Sequence, residues 1–90
     1  MFAYIKGTLV RKTADSIIID VNGIGFKVLT AGSSLTACNE TGSEIKLYTC
    51  FYVREDTQAL YGFLNEDELK MFEQLMTVTG VGPKAAVSLV

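Results

Sequence analysis

Up to about residue 64 the apolar and polar positions follow the short repeats of strands; beyond it they recur with a helical period. Phe2 to Arg11 is rich in β-branched and aromatic residues, and Ser16-Ile17-Ile18-Ile19-Asp20-Val21 is a near-continuous apolar run, so each predicts a strand. Asn22-Gly23 follows at once and predicts a hairpin, because both residues tolerate positive φ. Ile24-Gly25 is read with that turn, and the third strand is expected from Phe26 to Thr30. A phosphate-binding glycine loop would lead into a helix; a strand follows Asn22-Gly23-Ile24-Gly25, so the segment is read as a turn.

Residues 31–43 hold the glycines, serines and threonines of a loop, with one helical turn expected around Ser34 to Ala37. Glu44 to Val53 then alternates. Ile45, Leu47, Thr49, Phe51 and Val53 fall on one face, and Glu44, Lys46, Tyr48, Cys50 and Tyr52 on the other. The pattern predicts a long strand with one buried and one more polar face, with Cys50 away from the main core. Arg54-Glu55-Asp56-Thr57 is a polar tight turn, and Gln58 to Phe63 is a fifth strand. Five short strands with a gap between the third and fourth suit a closed Greek-key barrel of the OB type, and a small SH3-like barrel fits the same pattern nearly as well.

After the strands, Asn65 is a good N-cap with Glu68 three residues on, which predicts a capping-box-like helix start. Leu69, Phe72, Leu75 and Met76 form the apolar stripe of an amphipathic helix, and Met71, Phe72 and Met76 are read as helix core. The helix is expected to stop before Thr79-Gly80-Val81-Gly82-Pro83, and Pro83 suits the first position of a second helix. That second helix reaches Leu89-Val90 with no glycine or polar cap, so it reads as cut rather than finished.

Ninety residues allow one domain, or one domain and part of another. With 49% apolar and 20% charged residues the chain is expected to be globular and soluble. No apolar run approaches the ~18 residues of a membrane span, and the amino end lacks the basic start of a secretory signal. Cys38 and Cys50 are too few for a disulfide scaffold and are expected as reduced thiols in a cytoplasmic protein. The absence of histidine removes Ser-His and Cys-His nucleophile pairs and makes a zinc site poorly supported. There is no GxxxxGK[ST] loop for a nucleoside triphosphate. No catalytic residue, metal or cofactor is therefore expected, and any enzymatic step belongs to another chain.

The formal charge of -2 runs against the basic balance usual for nucleic-acid binders. Its distribution matters more. Residues 1–64 are neutral, and the excess lies in residues 65–90, where Glu66, Asp67 and Glu68 cluster at a helix start and favour the positive end of its dipole. The charge therefore leaves DNA binding open.

The Gly80-Val81-Gly82 turn between two helices carries the clearest candidate chemistry. Two glycines let the backbone curl while Val81 anchors the turn, so the amides of the turn and of the second helix start can face outward toward a phosphate. Lys84 can add one ionic contact to the same phosphate. Such a site binds the sugar-phosphate chain without reading bases; an ordinary helical hairpin is the competing reading.

The chain resembles the amino-terminal portion of the RuvA family. The resemblance is carried by Ala3-Tyr4-Ile5-Lys6-Gly7, Ile19-Asp20-Val21-Asn22-Gly23-Ile24-Gly25, Val53-Arg54-Glu55-Asp56, Leu60-Tyr61-Gly62-Phe63 and Val78-Thr79-Gly80-Val81-Gly82-Pro83-Lys84. It implies a mainly β chain with α: a five-stranded OB-fold barrel over residues 1–64, then the first helix-hairpin-helix of an incomplete second domain over residues 65–90. It further implies a non-catalytic, cytoplasmic subunit in recombination and repair that holds a Holliday junction open for branch migration by a RuvB-type ATPase, whose contact region this sequence lacks. Four subunits would form a flat plate, with Thr79, Gly80, Val81, Gly82 and Lys84 on DNA. Glu55 and Asp56 would form an acidic pin near the four-fold axis, repelling phosphates at the crossover. From the residues alone these two read first as a solvated turn, and a metal pair is a weaker option. Arg54 is a candidate contact to the entering strands. Two alternatives stand beside this expectation. One is an oligomerisation scaffold that binds no DNA; the other is a generic single-strand binder that stacks bases on Phe2, Tyr4, Tyr48, Tyr52 and Tyr61.

Overall fold

The computed structural model describes residues 2–32 and 40–90, so the helical turn expected around Ser34 to Ala37 lies outside the described residues. Five strands come first: β1 (Tyr4–Lys12), β2 (Ser16–Val21), β3 (Ile24–Leu29), β4 (Glu44–Arg54) and β5 (Thr57–Phe63). Two helices follow, α1 (Glu66–Met76) and α2 (Pro83–Leu89). The strands close into a barrel in the order β1-β2-β3-β5-β4, with β4 pairing back onto β1. Every pairing is antiparallel except β3 with β5, which meet in parallel through Val28↔Leu60 and Leu29↔Tyr61. This is a five-stranded OB-fold barrel followed by a short helical segment.

Local chemistry accounts for the path. Asn22 and Gly23 take φ of 53° and 87°, the two left-handed residues of a two-residue hairpin turn whose twist matches its strands. Val21 then pairs directly with Ile24, so Ile24 and Gly25 belong to β3 and not to the turn. The expected four-residue turn is thus too long. Thr8 is the hinge of closure: β1 pairs with β4 from Tyr4 to Thr8 and with β2 from Thr8 onward, and the register shifts between Leu9 and Arg11.

Ile5, Leu9, Ile17, Ile19, Val28, Ile45, Leu47 and Leu60 fill the barrel. On β4 the alternation holds through Thr49, and Phe51 is half-buried, but Val53 is 43% exposed. Its expected burial fails because the β4–β5 hairpin runs out past the core. The other face of β4 is also not the polar one its sequence suggests. Tyr52 and Cys50 pack against a second cluster formed by Tyr61, Phe63, Phe72 and Ala86, with Leu69, Leu75 and Val81 around it. Cys50 does lie away from the main core, as expected. Burial, and after it the Glu73 carboxylate, raise its pKa above the ordinary thiol value.

The helix start follows its sequence signal. Asn65 Oδ1 accepts from the Glu68 amide at 2.9 Å, while Asn65 Nδ2 donates to Glu68 Oε1 at 3.1 Å. Phe72 is fully buried at the centre of the apolar stripe, stacked on Tyr61 and tilted against Phe63, whereas Met71, expected in the core, is exposed because it lies off that stripe on the outer side of the helix. The helices thereby share a core with the outer face of β4 and β5, which fixes the turn between them relative to the barrel.

Candidate nucleic-acid interface

The turn after α1 is built from residues 77–82. The Thr77 amide donates to Gln74 O and the Val78 amide to Leu75 O, each at 3.1 Å, which closes the end of the helix. Val81 N–H donates to Val78 O at 3.1 Å, and its side chain packs into the second cluster. That inward anchor leaves Thr79, Gly80 and Gly82 exposed on the outside of the bend. Only Gly80 uses the left-handed conformation, at φ 86°. Gly82 is extended at φ -87° and ψ 173°, so the backbone does not demand glycine there; the two-glycine curl expected from the sequence is a one-glycine curl.

Gly82 is the N-cap of α2 and Pro83 its first residue, with no side chain capping the end. The first intrahelical donor is Ala86 N–H, bonded to Gly82 O at 2.9 Å. The amides of Lys84 and Ala85 are therefore left over at the helix start, as helix geometry requires. Among the described residues neither they nor the Gly80 and Gly82 amides donate to a protein acceptor. The Lys84 side chain is exposed and borders a cavity of about 260 Å³ shared with Asp15, Thr30 and Tyr61, so it reaches the seam between α2 and the barrel. Arg54, Glu55 and Asp56 lie elsewhere, at the tip of the β4–β5 hairpin. Arg54 pairs with Thr57, leaving Glu55 and Asp56 as an exposed two-residue loop. Asp56 Oδ1 accepts from Thr57 Oγ1 at 3.3 Å, and among the described residues neither carboxylate has an ion-pair partner. Arg54 is folded back: its guanidinium lies 4.3 Å from the Tyr52 ring centroid, and Nη1 donates to Val53 O at 2.8 Å. The tether is local: Tyr52 and Arg54, two residues apart on β4, share one face of the strand.

The five aromatic residues considered for base stacking separate in space. Tyr61 is only 3% exposed and is stacked on Phe72, so its ring is buried away from any base. Its hydroxyl pKa is raised, first by burial and then by Tyr52 and Cys50. Tyr52 is half-buried, edge-on to Tyr61. Tyr4 and Tyr48 are direct cross-strand partners, with Lys46 Nζ 4.4 Å and 5.1 Å from their ring centroids. Phe2 lies edge-on to Phe26 and Phe51. No continuous single-strand platform joins the five, and Tyr61 leaves the candidate set.

Comparison with known proteins decides the lineage of this barrel. The family model described as the RuvA N terminal domain matches residues 1–62. The chain belongs to the RuvA family. It is 53% identical over 90 residues to the Holliday junction branch migration complex subunit RuvA of Ruminiclostridium cellulolyticum, covering all of this chain and 45% of that relative. The same-named protein of Acetivibrio thermocellus is 52% identical over 89 residues, covering 99% of this chain and 44% of the relative. That of Clostridium beijerinckii is 47% identical over 89 residues, covering 99% and 45%. The chain thus spans less than half the length of these RuvA relatives. Their similarity continues past the matched domain through α1, the glycine turn and α2. Among the described residues no helix is long and apolar enough to cross a membrane.

Proposed function

We propose that this chain carries the junction-holding part of a non-catalytic, structure-specific DNA-binding subunit, which keeps a Holliday junction open while a separate ATP-driven motor moves the branch point. The observation that carries the reading is the similarity to RuvA subunits, about half the positions, running unbroken from the barrel through the turn that exposes the Gly80, Gly82, Lys84 and Ala85 amides. In this reading residues 1–64 supply the contacts between four copies and the acidic pin, and residues 65–90 supply the first helix-hairpin-helix. The turn amides and Lys84 hold a phosphate. Main-chain donors recognise the backbone without reading a base, which suits binding by shape at a junction of any sequence.

Glu55 and Asp56 act oppositely. Exposed and without cationic partners among the described residues, they repel phosphates at short range and hold the strands apart at the crossover. Arg54, held against Tyr52, has to leave that ring to reach a strand. A competition assay between a four-way junction and a linear duplex of equal length tests the reading. It expects the junction to win clearly; equal binding, or none to either, would sink it.

A further inference from the structure

The barrel is closed, but the seam between β3 and β5 is short. β3 and β5 meet only at Val28↔Leu60 and Leu29↔Tyr61, and before those pairs the two strands diverge around a cavity of about 430 Å³. Phe2, Phe26, Phe51 and Leu60 form its apolar walls, with Lys27 and Gln58 at the polar side. Phe2 is 47% exposed, and its ring stands edge-on to Phe26 and Phe51, with centroids at 6.1 Å and 6.0 Å. Its backbone is fixed, because Thr49 Oγ1 donates to Phe2 O at 3.1 Å and the Thr49 amide to Ala3 O at 3.0 Å. The ring is thus held at the mouth while its outer side faces solvent. On both flanks the strands are paired on one side only: Gly25 to Lys27 with β2, and Gln58 and Ala59 with β4.

The location narrows the ligand. β5 begins at Thr57, directly after Asp56, so Gln58 sits about 7 Å along the strand from the acidic loop. Carboxylates there repel phosphate, so the uncharged base, turned inward with its phosphates directed away, is the part of a nucleotide that meets least repulsion. Moving a branch point by one step breaks one base pair in each of two shortening arms before new pairs form in the other two, so bases at the crossover are transiently unpaired. Such a base has an aromatic face for the Phe rings and an edge of donors and acceptors for the Gln58 amide and the unpaired strand edges. The cavity volume falls within the about 300–1,000 Å³ common for small-ligand pockets.

We propose that this gap beside the β3–β5 seam binds a single unpaired nucleobase at the crossover, stacked at the Phe2-Phe26-Phe51 cluster and hydrogen-bonded by Gln58. The inference rests on the junction-binding reading above and adds a base contact to a backbone contact.

Fluorescence anisotropy with two four-way junctions, one carrying a single extra unpaired thymidine at the crossover, tests it. The chain should bind the junction with the extra base about tenfold more tightly, the scale of stacking one base on an aromatic surface. Gln58→Ala, a change of an exposed side chain, should shrink that difference, and Phe2→Ala should shrink it further. Equal, tight binding of both junctions by the unaltered chain removes the pocket and leaves the junction-binding reading intact. Binding of neither removes both. A preference that survives both substitutions places the extra base elsewhere and overturns the proposal.

Discussion

Tyr61 of β5 and Phe72 of α1 stack with their ring centroids 5.2 Å apart and their planes at 30°. This contact ties the helices to the strand that begins beside the acidic loop. One strand therefore relates the two elements of the proposed interface: Glu55-Asp56 precede it, and the ring that seats α1 lies near its far end. Because Val81 packs into the same cluster, the glycine turn takes its position from the barrel.

Phe72→Ala should cost about 3–5 kcal/mol, the usual range for emptying a fully buried phenylalanine site. Urea unfolding monitored by circular dichroism measures it. Leu69→Ala, at a partly buried position on the same helix face, should cost distinctly less. Equal costs would contradict the placement of Phe72 at the centre of the second cluster.

The two glycines of the turn should respond differently. Gly80 lies at φ 86°, so Gly80→Ala should destabilise by about 1–2 kcal/mol through backbone strain alone. Gly82 has an ordinary φ, and a Cβ built there meets nothing within 4 Å. Gly82→Ser should keep or slightly raise the melting temperature, since serine is a better N-cap than glycine by roughly a few tenths of a kcal/mol. The same substitution should weaken junction binding, because the hydroxyl takes up an amide that would otherwise meet phosphate. Thermal melting and a binding titration on one sample separate the two effects.

Neutralising the loop with Glu55→Gln and Asp56→Asn should leave the melting temperature unchanged, since neither carboxylate has an ion-pair partner among the described residues. Affinity should rise for junction and duplex alike, and the ratio between them should fall. An unaltered ratio in the competition assay would rule out the repulsive role.

Much of this architecture is legible in the chain, and the failures have physical causes. Asn22-Gly23, Asn65 and Pro83 each fix the backbone locally, so their turn, cap and helix start are readable without tertiary information. The alternation of β4 shows that its two faces differ, but a period of two cannot say what covers the second face. Tyr52 and Cys50 are packed because α1 folds back over them, a long-range event absent from the local pattern. Ile24 and Gly25 read as turn because glycine is a turn former, yet a two-residue hairpin needs no more than Asn22-Gly23. The candidate site divides in the same way. The Gly80 bend and the acidic loop are visible as sequence signals, and the tether of Arg54 to Tyr52 joins two residues on one face of β4, whereas the gap beside the short β3–β5 seam arises only when distant strands meet.

The salt dependence of junction affinity, measured for the chain and for Lys84→Ala, tests most directly whether the helix turn grips the DNA backbone. Lys84 is exposed and has no ion-pair partner among the described residues, so its removal should leave folding intact. Deleting this one ionic interaction with a phosphate should weaken binding at low salt and make the slope of log K against log salt shallower by about 0.9. An unchanged slope and affinity at every salt concentration would contradict the assignment of Lys84 and the turn beside it to DNA.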